Sequence, residues 1–179
     1  MFRAISLNVV RSAVLYSLLC LMGSAVVAAQ HEFGDLNIAV TADTNDIAAS
    51  PDYQITVENE ELLLTRLTAT YQGILSNSFV ADLDKDGAFE VIVTFSSANG
   101  HETDVHVYSW KNSLLQPHKV ADLNDAQRIG YQGNDEFAVA NGYLLRIYQV
   151  YEKTEGVWQA TAEQRRLRYS LSETRWLPE

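Results

Sequence analysis

Between an apolar stretch ending at Val80 and Ala81 and the strand-like run Val91-Ile92-Val93-Thr94-Phe95 stands Asp82-Leu83-Asp84-Lys85-Asp86-Gly87-Ala88-Phe89-Glu90. So many acidic side chains between two apolar runs fix a turn at this point. Alternate carboxylates in a tight loop direct their oxygens inward, and Gly87 supplies backbone freedom that a side chain would oppose. Asp and Gly also build ordinary turns, because Asp bonds nearby backbone and Gly reaches positive φ without strain. The spacing is not that of an EF-hand, whose twelfth position is a bidentate Glu. Counted from Asp82, that position is Val93, Glu90 falls ninth, and a strand follows. If a cation binds, Asp82, Asp84, Asp86 and Glu90 are its candidate ligands and calcium is the cofactor they suit. A metal-free acidic turn is the alternative.

Alternation governs the rest of the chain. Tyr53, Ile55 and Val57 share one face of an extended run, and Asn37 to Thr41 suggests a short strand ahead of a loop-like run from Ala42 to Asp46. Leu62, Leu64 and Leu67 continue the strand pattern, although Glu60 to Leu67 also fits a helical turn. Further strands are expected over Phe79–Leu83, Phe89–Ser97, Asp104–Trp110, Leu114–Ala121 and Arg165–Leu171. Asn141-Gly142 suits a type I′ turn and predicts a hairpin running from Phe137 to Tyr148. On its second strand Tyr143, Leu145 and Ile147 face one way and Leu144, Tyr148 and Val150 the other, so both sides should be covered. On the last strand Arg166 and Arg168 form a solvated face opposite Leu167, Tyr169 and Leu171. Many short strands and almost no helix indicate an all-β domain, an antiparallel β-sandwich or a strongly curled sheet. Val80-Ala81-Asp82-Leu83-Asp84 is echoed by Val120-Ala121-Asp122-Leu123-Asn124 about 40 residues later. The second copy lacks the acidic loop, and a propeller of at least four blades exceeds this length, so the echo is coincidence or two similar turns.

The first segment sets the compartment. Arg3 and Arg11 precede an apolar stretch from Ser12 to Val27, and Ala25 to Ala29 offers small residues for cleavage after Ala28 or Ala29. Residues 1–28 are expected to be a secretory signal peptide and 29–179 a single domain in the periplasm, with no membrane association once the leader is gone. Leu19 stands before Cys20 where a lipoprotein signal needs a small residue. Cys20 is the one cysteine, so the mature domain has no disulfide and depends on its core. About 150 residues suffice for one. Removing Arg3 and Arg11 from the 13 basic residues leaves 11 against 23 acidic ones, a net charge of −12. Such a surface repels nucleic acid and suits a basic partner, and it also confers solubility.

The run from Phe79 to Val93, followed by Gly130-Tyr131-Gln132-Gly133-Asn134-Asp135-Glu136-Phe137 and by Gly142 to Tyr151, resembles the periplasmic inhibitors of invertebrate-type lysozyme. The likeness extends from about Phe79 to Leu171; the acidic loop alone is also similar to single repeats of integrin-type propellers. The resemblance implies an all-β fold, often dimeric, with no catalytic activity, that plugs the cleft of a basic lysozyme. Such inhibitors present a loop with a Ser-Gly pair and a nearby Tyr. The corresponding segment here is Ser96-Ser97-Ala98-Asn99-Gly100-His101-Glu102-Thr103. Asn99-Gly100 takes the place of Ser-Gly, and no Tyr precedes Tyr108. Asn99 and His101 could donate to catalytic carboxylates, whereas Glu102 would have to turn away. A plain hairpin turn is the alternative for this segment.

An enzyme is not expected. His101, His106 and His118 lie near serines and aspartates, but there is no nucleophile elbow, and a zinc site on His101 and His106 lacks further ligands. Trp110, Trp158 and Trp176 suit a core or an interface.

Overall fold

The computed structural model describes residues 26–43, 52–97 and 103–179. Among the described residues, twelve strands form three antiparallel sheets, each from one stretch of chain, and one short helix joins the second to the third. The first contains β1 (Val26–Phe33), β2 (Leu36–Asp43), β3 (Asp52–Asn59) and β4 (Leu62–Thr70). The second contains β5 (Ile74–Ala81), β6 (Glu90–Ser96), β7 (Thr103–Lys111) and β8 (Leu114–His118). The third contains β9 (Glu136–Ala140), β10 (Tyr143–Thr154), β11 (Val157–Ser170) and β12 (Arg175–Pro178). Each is a meander whose neighbours in space are neighbours in sequence.

The sheets are stacked as layers, so the sandwich expected from alternation is doubled. Ile38, Val40, Tyr53, Ile55 and Val57 of the first sheet pack against Val80, Val91, Val93 and Phe95 of the second. On its other face the second sheet offers Ala81, Ile92, Val105 and Val107 to Phe137, Leu144, Tyr148, Leu167, Tyr169 and Trp176 of the third. Because successive strand side chains point to opposite faces, β6 serves both clusters, and six of its seven residues are buried. On the outer face of the third sheet Arg168 and Arg166 stand opposite the buried Leu145 and Ile147, the Arg168 guanidinium 5.1 Å from the centre of the Tyr143 ring and Arg166 paired with Glu179.

The alternation at Tyr53, Ile55 and Val57 is realised, with each residue at most 1 % exposed. Asn141 and Gly142 take the positive φ values of a type I′ turn, 54° and 74°, between paired Ala140 and Tyr143. Elsewhere the structure corrects the sequence. Ala42 and Asp43 belong to β2 instead of a loop; 44–46 lie outside the described residues. Glu60 to Leu67 is no helical turn: Glu60 sits at a positive φ of 53°, and β4 begins at Leu62. The strand expected to reach Ala121 stops at His118, just past Pro117, which lacks the N–H that a ladder needs. β11 begins at Val157, eight residues ahead of the expected strand. Each of the echoed segments lowers a leucine, Leu83 or Leu123, into the cluster between the second and third sheets, but the two differ beyond it: the first forms the acidic turn that leads into β6, the second runs into a short helix. Beyond Leu123 a four-residue helix α1 (Asp125–Arg128) is closed by a reciprocal cap between Asn124 and Gln127.

One buried ion pair secures the chain between α1 and β9. Arg146 Nε and Nη2 donate to Asp135 at 3.0 and 2.8 Å, and Nη2 reaches the Tyr131 hydroxyl at 3.0 Å. That hydroxyl donates to Asp135 Oδ2 at 2.5 Å. Burial, then the Asp135 carboxylate, pushes the Tyr131 phenol up to about 12.

Candidate functional site

The acidic turn hangs between two anchors on opposite sides of the second sheet. Leu83 is buried in the cluster facing the third sheet, and Phe89 in the cluster facing the first, stacked on Trp110 at 5.5 Å. Within the turn the carboxylates organise the backbone: Gly87 N donates to Asp82 Oδ2, Asp86 N to Asp84 Oδ1 and Ala88 N to Asp86 Oδ1. Lys85 and Gly87 adopt positive φ, 63° and 89°. The ammonium of Lys85 lies 5.0 Å from the centre of the Tyr143 ring, tying the turn to the start of β10.

Three of the four candidate ligands converge. Asp82, Asp84 and Asp86 each offer a carboxylate oxygen, and these oxygens lie within 4.8 Å of one another. Asp82 Oδ1 is removed from solvent yet has no hydrogen-bond partner. A buried acceptor without a donor is costly, and a cation among the three carboxylates would satisfy it. Glu90 stands apart from this group. It is 1 % exposed, and its Oε2 accepts the Leu83 N–H at 2.9 Å, so it buttresses the turn from beneath. Burial pushes its carboxyl up to about 7, against the Leu83 and Ser109 hydrogen bonds that pull it down, and Asp84 and Asp86 add to the rise.

The candidate lysozyme-binding segment lies at the tip of the β6–β7 hairpin. Ser96 closes β6 opposite Thr103, the first residue of β7, and Ser97 follows half-buried. Ala98, Asn99, Gly100, His101 and Glu102 lie outside the described residues. The base of this tip is densely packed. Phe95 stacks on Tyr71 at 4.7 Å and meets the His106 ring edge at 4.9 Å. Gly73, at φ 104°, passes so close that a Cβ there would lie 2.4 Å from the Ser96 carbonyl oxygen. Tyr108, the first tyrosine after the tip, is 6 % exposed and shares a 2.6 Å hydrogen bond with Tyr53. It is spent on the core and does not supply the surface aromatic that the loop lacks.

His106 joins a chain of polar contacts: Asp104 Oδ2 stands 3.5 Å from its Nε2, and the Tyr53 hydroxyl 2.8 Å from its Nδ1. The chain continues through Tyr53, a phenol 1 % exposed that burial holds far above the ordinary tyrosine range, to the Tyr108 hydroxyl. This arrangement orients a histidine and rigidifies β7; it offers no ionised nucleophile at a surface. His118 instead contacts the Tyr169 hydroxyl at 3.3 Å. Among the described residues, the three aspartates are the one group of three or more side chains positioned to share a metal.

Sequence reasoning missed the Arg146–Asp135–Tyr131 cluster, because its members are spaced irregularly along the chain. It also missed the exposed ribbon formed by the ends of β10 and β11, where Trp158 is 48 % exposed. The Val157-Trp158 pair beside Gly156 was the available signal. No protein-family model, curated protein or solved structure matches this chain.

Proposed function

We propose that this protein is a periplasmic inhibitor of lysozyme, exported by its N-terminal leader, that acts by occupying the cleft of a basic lysozyme and has no catalytic activity of its own. The observation that carries the reading is the build of the β6–β7 hairpin. Its strands run through the middle layer, and Phe95, Tyr71, His106 and the close approach of Gly73 hold the base of the tip. A recognition segment on a rigid base loses little entropy on docking. The acidic surface accelerates encounter with a cationic enzyme. Asn99 and His101 at the tip are the donors for catalytic carboxylates.

Titrating the mature protein into invertebrate, chicken and goose-type lysozymes during cell-wall lysis tests this. Activity is expected to fall at near one-to-one stoichiometry with the invertebrate type, and association to slow as salt rises. Undiminished lysis by every lysozyme at a several-fold excess of the protein would exclude the function.

The orphaned Asp82 Oδ1 favours a second reading, in which the same fold serves as a calcium-stabilised binding module without inhibitory activity. Asp82, Asp84 and Asp86 would hold the ion, which would screen their mutual repulsion and lock the turn. A ligand at 100 times its Kd stabilises by about 2.7 kcal/mol, a rise of roughly 5–10 °C in Tm for a domain of this size. Calcium should therefore raise Tm by that amount over chelator in the wild type, with no rise in Asp84→Asn. Equal melting with and without calcium would remove the reading.

A further inference from the structure

The third sheet does not end where its flanking strands end. β9 pairs with β10 only from Tyr143 to Ile147, and β12 with β11 only from Leu167 to Ser170. Beyond a bulge between Gln149 and Tyr151, Tyr151–Thr154 and Val157–Ala160 continue as a two-stranded ribbon. The β10 edge is held at the root of the ribbon, where Tyr151 N donates to the Gly130 carbonyl at 2.8 Å beside a Tyr131–Val150 bridge; beyond Tyr151 no strand pairs with either outer edge among the described residues, and Glu152 to Ala160 are all exposed. An isolated two-stranded ribbon is marginal in water, yet this one is deliberately aimed. Gln149 Nε2 donates across the bulge to the carbonyls of Thr161 and Glu163 at 2.8 and 2.7 Å, and Thr161 Oγ1 donates to that of Val150.

Cross-strand partners share a face, so the pairs Tyr151–Ala160 and Lys153–Trp158 put both aromatic rings on one face, with the Lys153 ammonium 6.0 Å from the centre of the Trp158 ring. On that face Trp158 is 48 % exposed, whereas Val157, 60 % exposed, pairs with Thr154 on the other. The opposite face and the turn carry Glu152, Gln159 and Glu155. Lys153 is the one basic residue of the ribbon against Glu152 and Glu155, in a chain of net charge −10. Two copies of such an arm would bring like charges together, whereas a cationic surface would complement them.

We propose that the β10–β11 ribbon is a docking arm that inserts Trp158 into a groove of a basic protein partner, its acidic face against the rim. The identity of that partner rests on the lysozyme reading. Trp158 then supplies the aromatic anchor absent from the β6–β7 tip, and tryptophan in a desolvated pocket is a frequent energetic centre of interfaces.

The test compares mature wild type, Trp158→Ala and Trp158→Phe for inhibition of the same three lysozymes, with melting temperatures to establish that the variants fold. Sedimentation velocity of wild type and Trp158→Ala accompanies it. Trp158→Ala is expected to weaken inhibition more than about tenfold, Trp158→Phe to retain most of it, and the protein to sediment as a monomer. Equal inhibition by folded Trp158→Ala would overturn the arm while leaving the lysozyme reading in place. A dimer that Trp158→Ala dissolves would assign the arm to a second copy of the chain. A wild type inert toward all three enzymes would remove both proposals.

Discussion

Replacing Arg146 by alanine is expected to cost about 3–5 kcal/mol of folding stability, the range for breaking a buried ion pair from one side. The Asp135 side chain is fully buried and that of Arg146 is 13 % exposed. The guanidinium lies 5.4, 5.6 and 5.7 Å from the rings of Tyr131, Phe137 and Trp176, so water has little access to replace it. Without the arginine the Asp135 carboxylate must either remain ionised in an apolar setting or take up a proton. The cost therefore comes mainly from the stranded partner. Arg146→Met combined with Asp135→Asn removes the stranded charge and leaves an acceptor for the Tyr131 hydroxyl, and it should recover a substantial part of the loss. Urea unfolding of both variants decides between causes. A double variant as unstable as Arg146→Ala would mean that packing of the guanidinium, and not charge, sets the penalty.

Glu90 leads to the second expectation, a stability that falls as pH rises from about 4.5 to about 7. Its carboxyl titrates at about 7 in the folded protein against an ordinary 4.5. Over that interval the folded state binds the proton that the unfolded chain has released, so raising pH favours unfolding. Above pH 7 the change is complete. At about 1.4 kcal/mol per pH unit the accumulated effect is on the order of 3 kcal/mol. Glu90→Gln keeps an acceptor for the Leu83 N–H while losing the titration. In chelator it should exceed wild type in stability at pH 8, and the advantage should vanish toward pH 5. Parallel stability profiles for the two proteins across this range would show that Glu90 does not carry the linkage.

How much of this was legible depended on whether a residue's environment is local. β3 and β6 announced themselves, because Tyr53, Ile55 and Val57 alternate cleanly and Val91 to Phe95 form a run too apolar for any exposed strand. The Asn141-Gly142 turn was legible because its chemistry is contained in two residues. β1 was hidden by its polarity: Gln30, His31 and Glu32 look like a solvated entry, yet His31 is 5 % exposed and bonds Ser78 of β5. No pattern in either segment reveals that pairing. The outer half of β11 was hidden for the opposite reason, since an exposed ribbon needs no apolar period. Alternation could assign faces but not what covers them, so an all-β sandwich or curled sheet could be anticipated without the order in which the three sheets stack. For the acidic turn the sequence located all four carboxylates, but only the fold separates Glu90, turned inward beneath Leu83, from the three that converge.

The stacking order also dictates how the molecule can assemble. Every sheet is a contiguous meander, so a chain growing from its N-terminus can close each one through short hairpins before the next appears. The second sheet, however, is apolar on both faces, and the first can shelter only one of them. Until Phe137 to Trp176 have been added, Ile92, Val105 and Val107 stand bare beside unpaired strand edges, the condition under which β-rich chains associate wrongly. The C-terminal third of the sequence thus acts on the middle third as a chaperone would, and a truncation there threatens solubility before it threatens any binding surface.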